Sequence, residues 1–367
     1  MRARPIVVLL ALVAAATPAL SREGGNDVPR LANGRPDLSG TYDLATLTPL
    51  ARPDVYGDRL ALTEEEAREI AERQAAAIAA GDQASDPDRG APPEGGDGST
   101  GAAGNVGGYN TFWIARGDGA FQLDGKYRTS ILVDPPNGQF PPLSEAAQAE
   151  RRGRFRSFRR GNDGEAWWID EERGPYDDPE IRGNNERCLL GFGATAGPPT
   201  LPNYFYNNLK RIVQTDDHLM ILAEMVHDAR IIRIEERAGD GAAAPEHDAP
   251  EIRKWLGDSV AHWEGDELVI ETVHFRDTPS FSRGSRDMKV TERITRIDAD
   301  TLRYEFTVED QAVWSAPFSG EMPWPATEDR VYEYACHEGN YALGNVLRGA
   351  RLLEAEALAK RRAESEQ

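Results

Sequence analysis

Two short stretches bring together side chains able to exchange protons. His227-Asp228-Ala229-Arg230 joins an imidazole that titrates near neutral pH, a carboxylate able to orient it, and a guanidinium suited to an anion. Cys336-His337-Glu338-Gly339-Asn340-Tyr341 supplies a second imidazole and carboxylate directly after a cysteine. Three more carboxylates fall where strand periodicity calls for apolar residues: Glu224 between Leu222 and Val226, Glu271 between Val269 and Val273, and Glu292 between Val290 and Ile294. A carboxylate on an apolar face is costly unless it is paired or protonated. Two readings stand for each: a structural ion pair with arginine, or an acid/base group lining a lumen. For His227–Arg230 the alternative to a site is a turn held by Asp228, with Arg230 paired to a carboxylate.

Taken together these residues define an expected site at one end of a barrel. Its catalytic candidates are Glu224, His227, Asp228, His337 and Glu338. Its ligand-binding candidates are Arg230, Tyr206, Asn207, Glu271, Glu292 and Tyr341. Two histidines and a carboxylate also form a metal set, but no HExxH or comparable spacing accompanies them, so neither metal nor cofactor is expected. The chain has no Gly-x-Ser-x-Gly elbow, phosphate loop or dinucleotide fingerprint.

Positioning these groups requires strands. From Ile252 to Glu309 apolar and polar residues alternate with period two, broken at Glu264-Gly265-Asp266 and Asp298-Ala299-Asp300, where tight turns belong. Upstream strands are expected at Asp37–Tyr42, Tyr127–Val133, Arg211–Thr215, Leu219–Val226 and Ile231–Glu235, and a last one at Val331–Cys336. Thr63-Glu64-Glu65-Glu66 is a capping box opening a helix to Gly81. Ser144 caps a second helix carrying six arginines within 151–160, and a charged helix begins near Leu343. There is no βαβ alternation. The expected fold is therefore all-β with accessory helices: an antiparallel meander closing into a lipocalin-like β-barrel, with N-terminal helices and long loops packed outside.

Residues 1–21 read as a signal peptide: Arg2 and Arg4, an apolar run from Ile6 to Ala16, then Ala19-Leu20-Ser21. A linker is expected over 22–35, one domain over 36–345 with a flexible loop at 82–108, and a charged helix or tail over 346–367. No stretch is long and apolar enough for a membrane span. Export, to the periplasm or the medium, would favour a disulfide between the two cysteines, Cys188 and Cys336; a free buried thiol is the alternative. A formal charge of −20 argues against nucleic acid or an anionic membrane as partner.

Several segments together resemble a family of uncharacterised exported bacterial proteins: Asp37-Leu-Ser-Gly-Thr-Tyr42, Arg128-Thr-Ser-Ile-Leu-Val-Asp-Pro-Pro136, Arg187-Cys-Leu189, His227-Asp-Ala-Arg230, Trp263-Glu-Gly-Asp266 and Tyr332-Glu-Tyr-Ala-Cys-His-Glu-Gly-Asn-Tyr341. The resemblance implies one exported domain and carries no activity. Gly40-Thr41-Tyr42 loosely resembles the Gly-X-Trp of lipocalin first strands, with Tyr in place of Trp, which implies a lumen for a small, partly apolar ligand. Three functions follow. The first is binding of a small organic ligand in the lumen. The second is an acid/base enzyme (lyase, isomerase or hydrolase) on a small or sugar-like substrate. The third is a structural or interaction module of the cell envelope.

Overall fold

The computed structural model describes residues 28–82, 88, 114–157, 165–172, 174–190, 196–203, 206–235, 246–277 and 284–366, without the side chains of 153–157. The expected signal peptide, nearly all of the 82–108 loop and the end of the arginine run, residues 158–160, lie outside the described residues.

Twelve strands and three α-helices are present among the described residues. The strands are β1 (Gly40–Asp43), β2 (Gln122–Leu123), β3 (Lys126–Tyr127), β4 (Leu132–Asp134), β5 (Leu209–Gln214), β6 (His218–Ala223), β7 (Ala229–Ile234), β8 (Asp258–Glu264), β9 (Glu267–Val273), β10 (Lys289–Arg296), β11 (Thr301–Glu309) and β12 (Phe318–Pro325). The helices are α1 (Glu64–Gly81), α2 (Glu145–Ser157) and α3 (Tyr341–Ser365). Ten strands form one sheet in the order β1-β5-β6-β7-β8-β9-β10-β11-β12-β4, curled into a half-barrel. β2 and β3 form a separate ribbon. The sheet is not the pure antiparallel meander expected. β7 and β8 run parallel, Arg233 facing Val260, because the chain between them returns to the starting side.

The alternation expected from the sequence holds over β10 and β11, where Val290, Ile294, Leu302 and Tyr304 are buried in the curl, joined there by Leu268 and Ile270 of β9. β9 departs in register. Its inner face is Leu268, Ile270 and Thr272, so Glu271 points outward. The expected strand at Val331–Cys336 is irregular chain, and the last strand in the chain is β12 instead.

Pro323 and Pro325 disguise β12, since proline cannot serve a central ladder. Odd-numbered residues here turn their amides away from β11: Glu321 N donates to Ile131 O and Thr327 N to Thr41 O. The prolines fall between those two donors, where β12 has no N–H to offer. Beyond this gap Tyr42 bridges Ala326, which brings β1 beside the end of β12.

Thr63 and Glu66 form the expected capping box on α1. α3 starts at Tyr341, earlier than expected, and docks through Ala350 on Ala166 and Trp168; Trp168 Nε1 donates to Glu354 at 2.6 Å. No described helix is long and apolar enough to cross a membrane.

Candidate functional site

Two of the places where the curl carries charge on its inner face are built differently. In the middle, Arg230 from β7 meets Glu292 from β10 in a two-pronged pair at 2.6 and 2.8 Å, with the two residues 2% and 0% exposed. Tyr304 Oη donates to Glu292 Oε1 at 2.7 Å and accepts from Thr200 N at 2.7 Å. Residues 196–203 are buried and run through this space, so the chain itself fills it. Burial alone would lower the Arg230 guanidinium, but Glu292 reverses that and raises it, while burial holds the Tyr304 hydroxyl well above its ordinary range. Each oxygen of Glu292 has a donor, as a retained buried charge requires.

The second place is the end of the sheet where β5, β6 and β1 meet. Lys210 sits on the inner face of β5, opposite Tyr42 of β1 and Ala223 of β6. It is 0% exposed, and its Nζ has no hydrogen-bond acceptor among the described residues. Burial pushes its ammonium down to about 8, against the pull of Glu224, Asp228 and Asp43.

The sharp reversal between β6 and β7 supplies two of those acids. β6 ends at Ala223, Glu224 takes helical dihedrals, and Val226 and His227 adopt left-handed φ of 54° and 45°. Ala223 N closes the turn on Asp228 O at 2.8 Å. This folds Glu224 and Asp228 toward Lys210 and leaves His227 exposed. Glu224 is 5% exposed and accepts from Tyr332 N at 2.9 Å. Burial raises its carboxyl, while hydrogen bonds from Tyr332, Leu209 and Asn207 and the charge of Lys210 pull it back. Asp228 Oδ2 is buried and lacks a partner, and burial likewise raises the Asp43 carboxyl.

The floor of this end is an asparagine lattice. Asn208 Oδ1 accepts from Asn203 N at 2.6 Å, Asn208 Nδ2 donates to Ala115 O at 2.7 Å, and Asn203 Nδ2 donates to Asn207 O at 2.9 Å. Tyr206 stacks on Tyr334 with ring centroids 6.4 Å apart. The irregular segment after β12 crosses the same end, tied by Thr327 to Thr41 and by Tyr332 to Glu224.

Of the expected residues, Glu224, Asp228, Asn207 and Tyr206 therefore gather around this end. Arg230 and Glu292 belong to the filled middle, paired with each other rather than with Glu224. Glu271 lies on the outer face, where Lys289 and His247 (3.3 Å) hold it; burial would raise its carboxyl, but those neighbours lower it. On that face His247 Nδ1 also meets Asp258 Oδ2 at 3.0 Å. Burial pushes the Asp258 carboxyl up, but Lys254, the Asp248 amide and His247 outweigh it and hold it well below the usual range.

His337, Glu338 and Tyr341 are exposed and follow the disulfide. Cys188 and Cys336 are bonded, as expected. Glu338 lines a cavity beside that bond, away from the residues around Lys210. The lining of this cavity includes neither His227 nor His337.

Lys210 is what sequence reasoning missed. In Leu209-Lys210-Arg211-Ile212-Val213 either parity carries one basic residue, and nothing local says which faces inward. Among the described residues no group of histidine, cysteine and carboxylate side chains is arranged to hold a metal. No family model matches the chain, and neither does any curated protein or solved structure.

Proposed function

We propose that this chain is an exported protein that binds a small, neutral, hydroxyl-bearing molecule, sugar-like in chemistry, at the Lys210 end of the half-barrel. In this reading the sheet closes as a lipocalin-like barrel through the Tyr42–Ala326 contact, and the ligand sits at its end because the middle is occupied by Arg230, Glu292 and residues 196–203. The observation that carries the reading is the fully buried Lys210 ammonium without an acceptor. A buried charged donor left unmet is costly, so a ligand oxygen placed there has a ready hydrogen bond to gain. One lysine among Glu224, Asp228 and Asp43 leaves the end rich in acceptors. A hydroxyl suits both sides, accepting from Lys210 and donating to a carboxylate, whereas an anionic ligand would meet like charge.

The test is native mass spectrometry and thermal-shift screening of the wild-type protein against a panel of monosaccharides, polyols and small carboxylates. Binding of a polyol or sugar that Lys210→Met abolishes, with the fold retained, supports the reading. Binding confined to carboxylates, or unaffected by Lys210→Met, defeats it.

A second reading, acid/base catalysis on the same class of molecule, is favoured by one specific feature. Burial lowers the Lys210 ammonium to about 8 and raises the Glu224 carboxyl, which brings the proton affinities of two groups at one end of the sheet closer together. Its check is turnover of any bound sugar or polyol, lost together in Lys210→Met and Glu224→Gln.

A further inference from the structure

Away from the Lys210 end, a cavity of about 230 Å³ lies between the turn at residues 182–188 and the start of α3. Both cysteines line it. Cys188 is 8% exposed and Cys336 is the more open of the two. Asn340 directs its side-chain amide at Cys188 Sγ from 3.2 Å and at Glu186 O from 3.2 Å. Arg182 is engaged by Glu186 at 2.7 Å and lies over the Tyr176 ring, 5.0 Å from its centroid. Glu338 therefore leaves the lining one negative charge in excess. Leu343 and Val346 of α3 complete an apolar wall.

We propose that the Cys188–Cys336 disulfide is a thiol-exchange site, and that this cavity admits a small thiol carrying an amine. Disulfides embedded in a packed core are shielded from attack; this one faces a cavity large enough for a molecule of a few heavy atoms. The attacking thiolate forms a bond to Sγ of Cys336, the more open residue. The Cys188–Cys336 bond breaks, and Cys188 departs with the electron pair as a thiolate that accepts from the Asn340 amide. A sulfur whose developing charge is hydrogen-bonded is the better leaving group. A second thiolate then attacks the sulfur of the bound thiol, releasing an external disulfide and the Cys336 thiolate. The protein cystine gains two electrons, the two small thiols lose them, and both protein thiolates take up protons from water. The excess charge at Glu338 selects among thiols: it attracts an ammonium and repels a carboxylate. Exchange unties residues 331–340, the stretch that reaches Glu224 through Tyr332.

The experiment treats the native full chain, at low ionic strength and equal thiolate concentration, with cysteamine, 2-mercaptoethanol or mercaptoacetate. Alkylation and peptide mass mapping follow the products. Cysteamine is expected to react fastest and mercaptoacetate slowest, with about fivefold between successive members, and the mixed disulfide is expected on Cys336. Asn340→Asp, which keeps a helix-capping residue but sets a carboxylate against Cys188, is expected to slow exchange at least about fivefold. Glu338→Gln is expected to compress the order of the three thiols without altering the fold. Reduction that requires denaturant, a mixed disulfide mapped to Cys188, equal rates for the three thiols, an order unchanged in Glu338→Gln, or an undiminished rate in Asn340→Asp would overturn the proposal.

Discussion

The middle of the curl and the Lys210 end both place charge where water does not reach, yet they have opposite characters. In the middle, Glu292 pairs with both terminal nitrogens of Arg230, Tyr304 and Thr200 extend the network, a buried loop occupies the remaining space, and Arg230 Nε alone lacks an acceptor. At the end, Lys210 Nζ and Asp228 Oδ2 are buried and unanswered. Burial of charge by itself thus marks nothing, because a bonded ion pair is how a fold tolerates it. A buried ammonium with no bonded counter-ion is the informative feature, since it stores a cost that a ligand can relieve.

The contrast breaks most visibly by removing one partner from the middle. Glu292→Leu leaves Arg230 buried and alone, and should cost about 3–5 kcal/mol in denaturant unfolding. Adding Arg230→Met should restore most of that loss, because the network is self-contained. A double variant as unstable as the single one would mean that Arg230 serves something besides Glu292.

At the other end the sign reverses. The unfolded lysine keeps its proton to about pH 10.5, whereas folded Lys210 releases it near 8. Between those values the unfolded chain holds more protons, so the Lys210 contribution rises with pH, on the order of 3 kcal/mol across the window. Lys210→Met should therefore stabilise the protein by about 1–3 kcal/mol near neutral pH and remove this part of the pH slope. Urea titrations at several pH values compare the two proteins; a destabilised Lys210→Met with the slope intact would show that the acids need the lysine's charge.

Tyr304→Phe sharpens the same distinction on a smaller scale. It strips a donor from Glu292 and an acceptor from Thr200 N, and should cost about 1–2 kcal/mol. The smallest effect is local. Reducing the disulfide should speed amide exchange at Tyr332 about tenfold while leaving Thr200 protected, because only the first belongs to the tied segment. Equal acceleration at both sites would mean that the two regions open together.

The sequence by itself determined those features whose causes are local. Period-two alternation over β10 and β11, the two-residue turn at Gly265-Asp266, the Thr63–Glu66 capping box and the pairing of the only two cysteines all follow from neighbouring residues or simple counting. Tertiary structure decided the rest.

Glu224 points inward, but not for the reason alternation offered. Leu222 is on the outer parity of β6, and the left-handed turn at Val226 and His227 is what folds the carboxylate in. Glu292 found Arg230 across 62 residues, a choice among many arginines that spacing does not encode. β12 hid behind two prolines whose missing N–H groups matter only once its neighbours are known. Lys210 and Arg211 differ only in which face of β5 each occupies. That was settled when β1 and β6 paired on either side of the strand, since a one-residue shift of register exchanges the inner and outer faces.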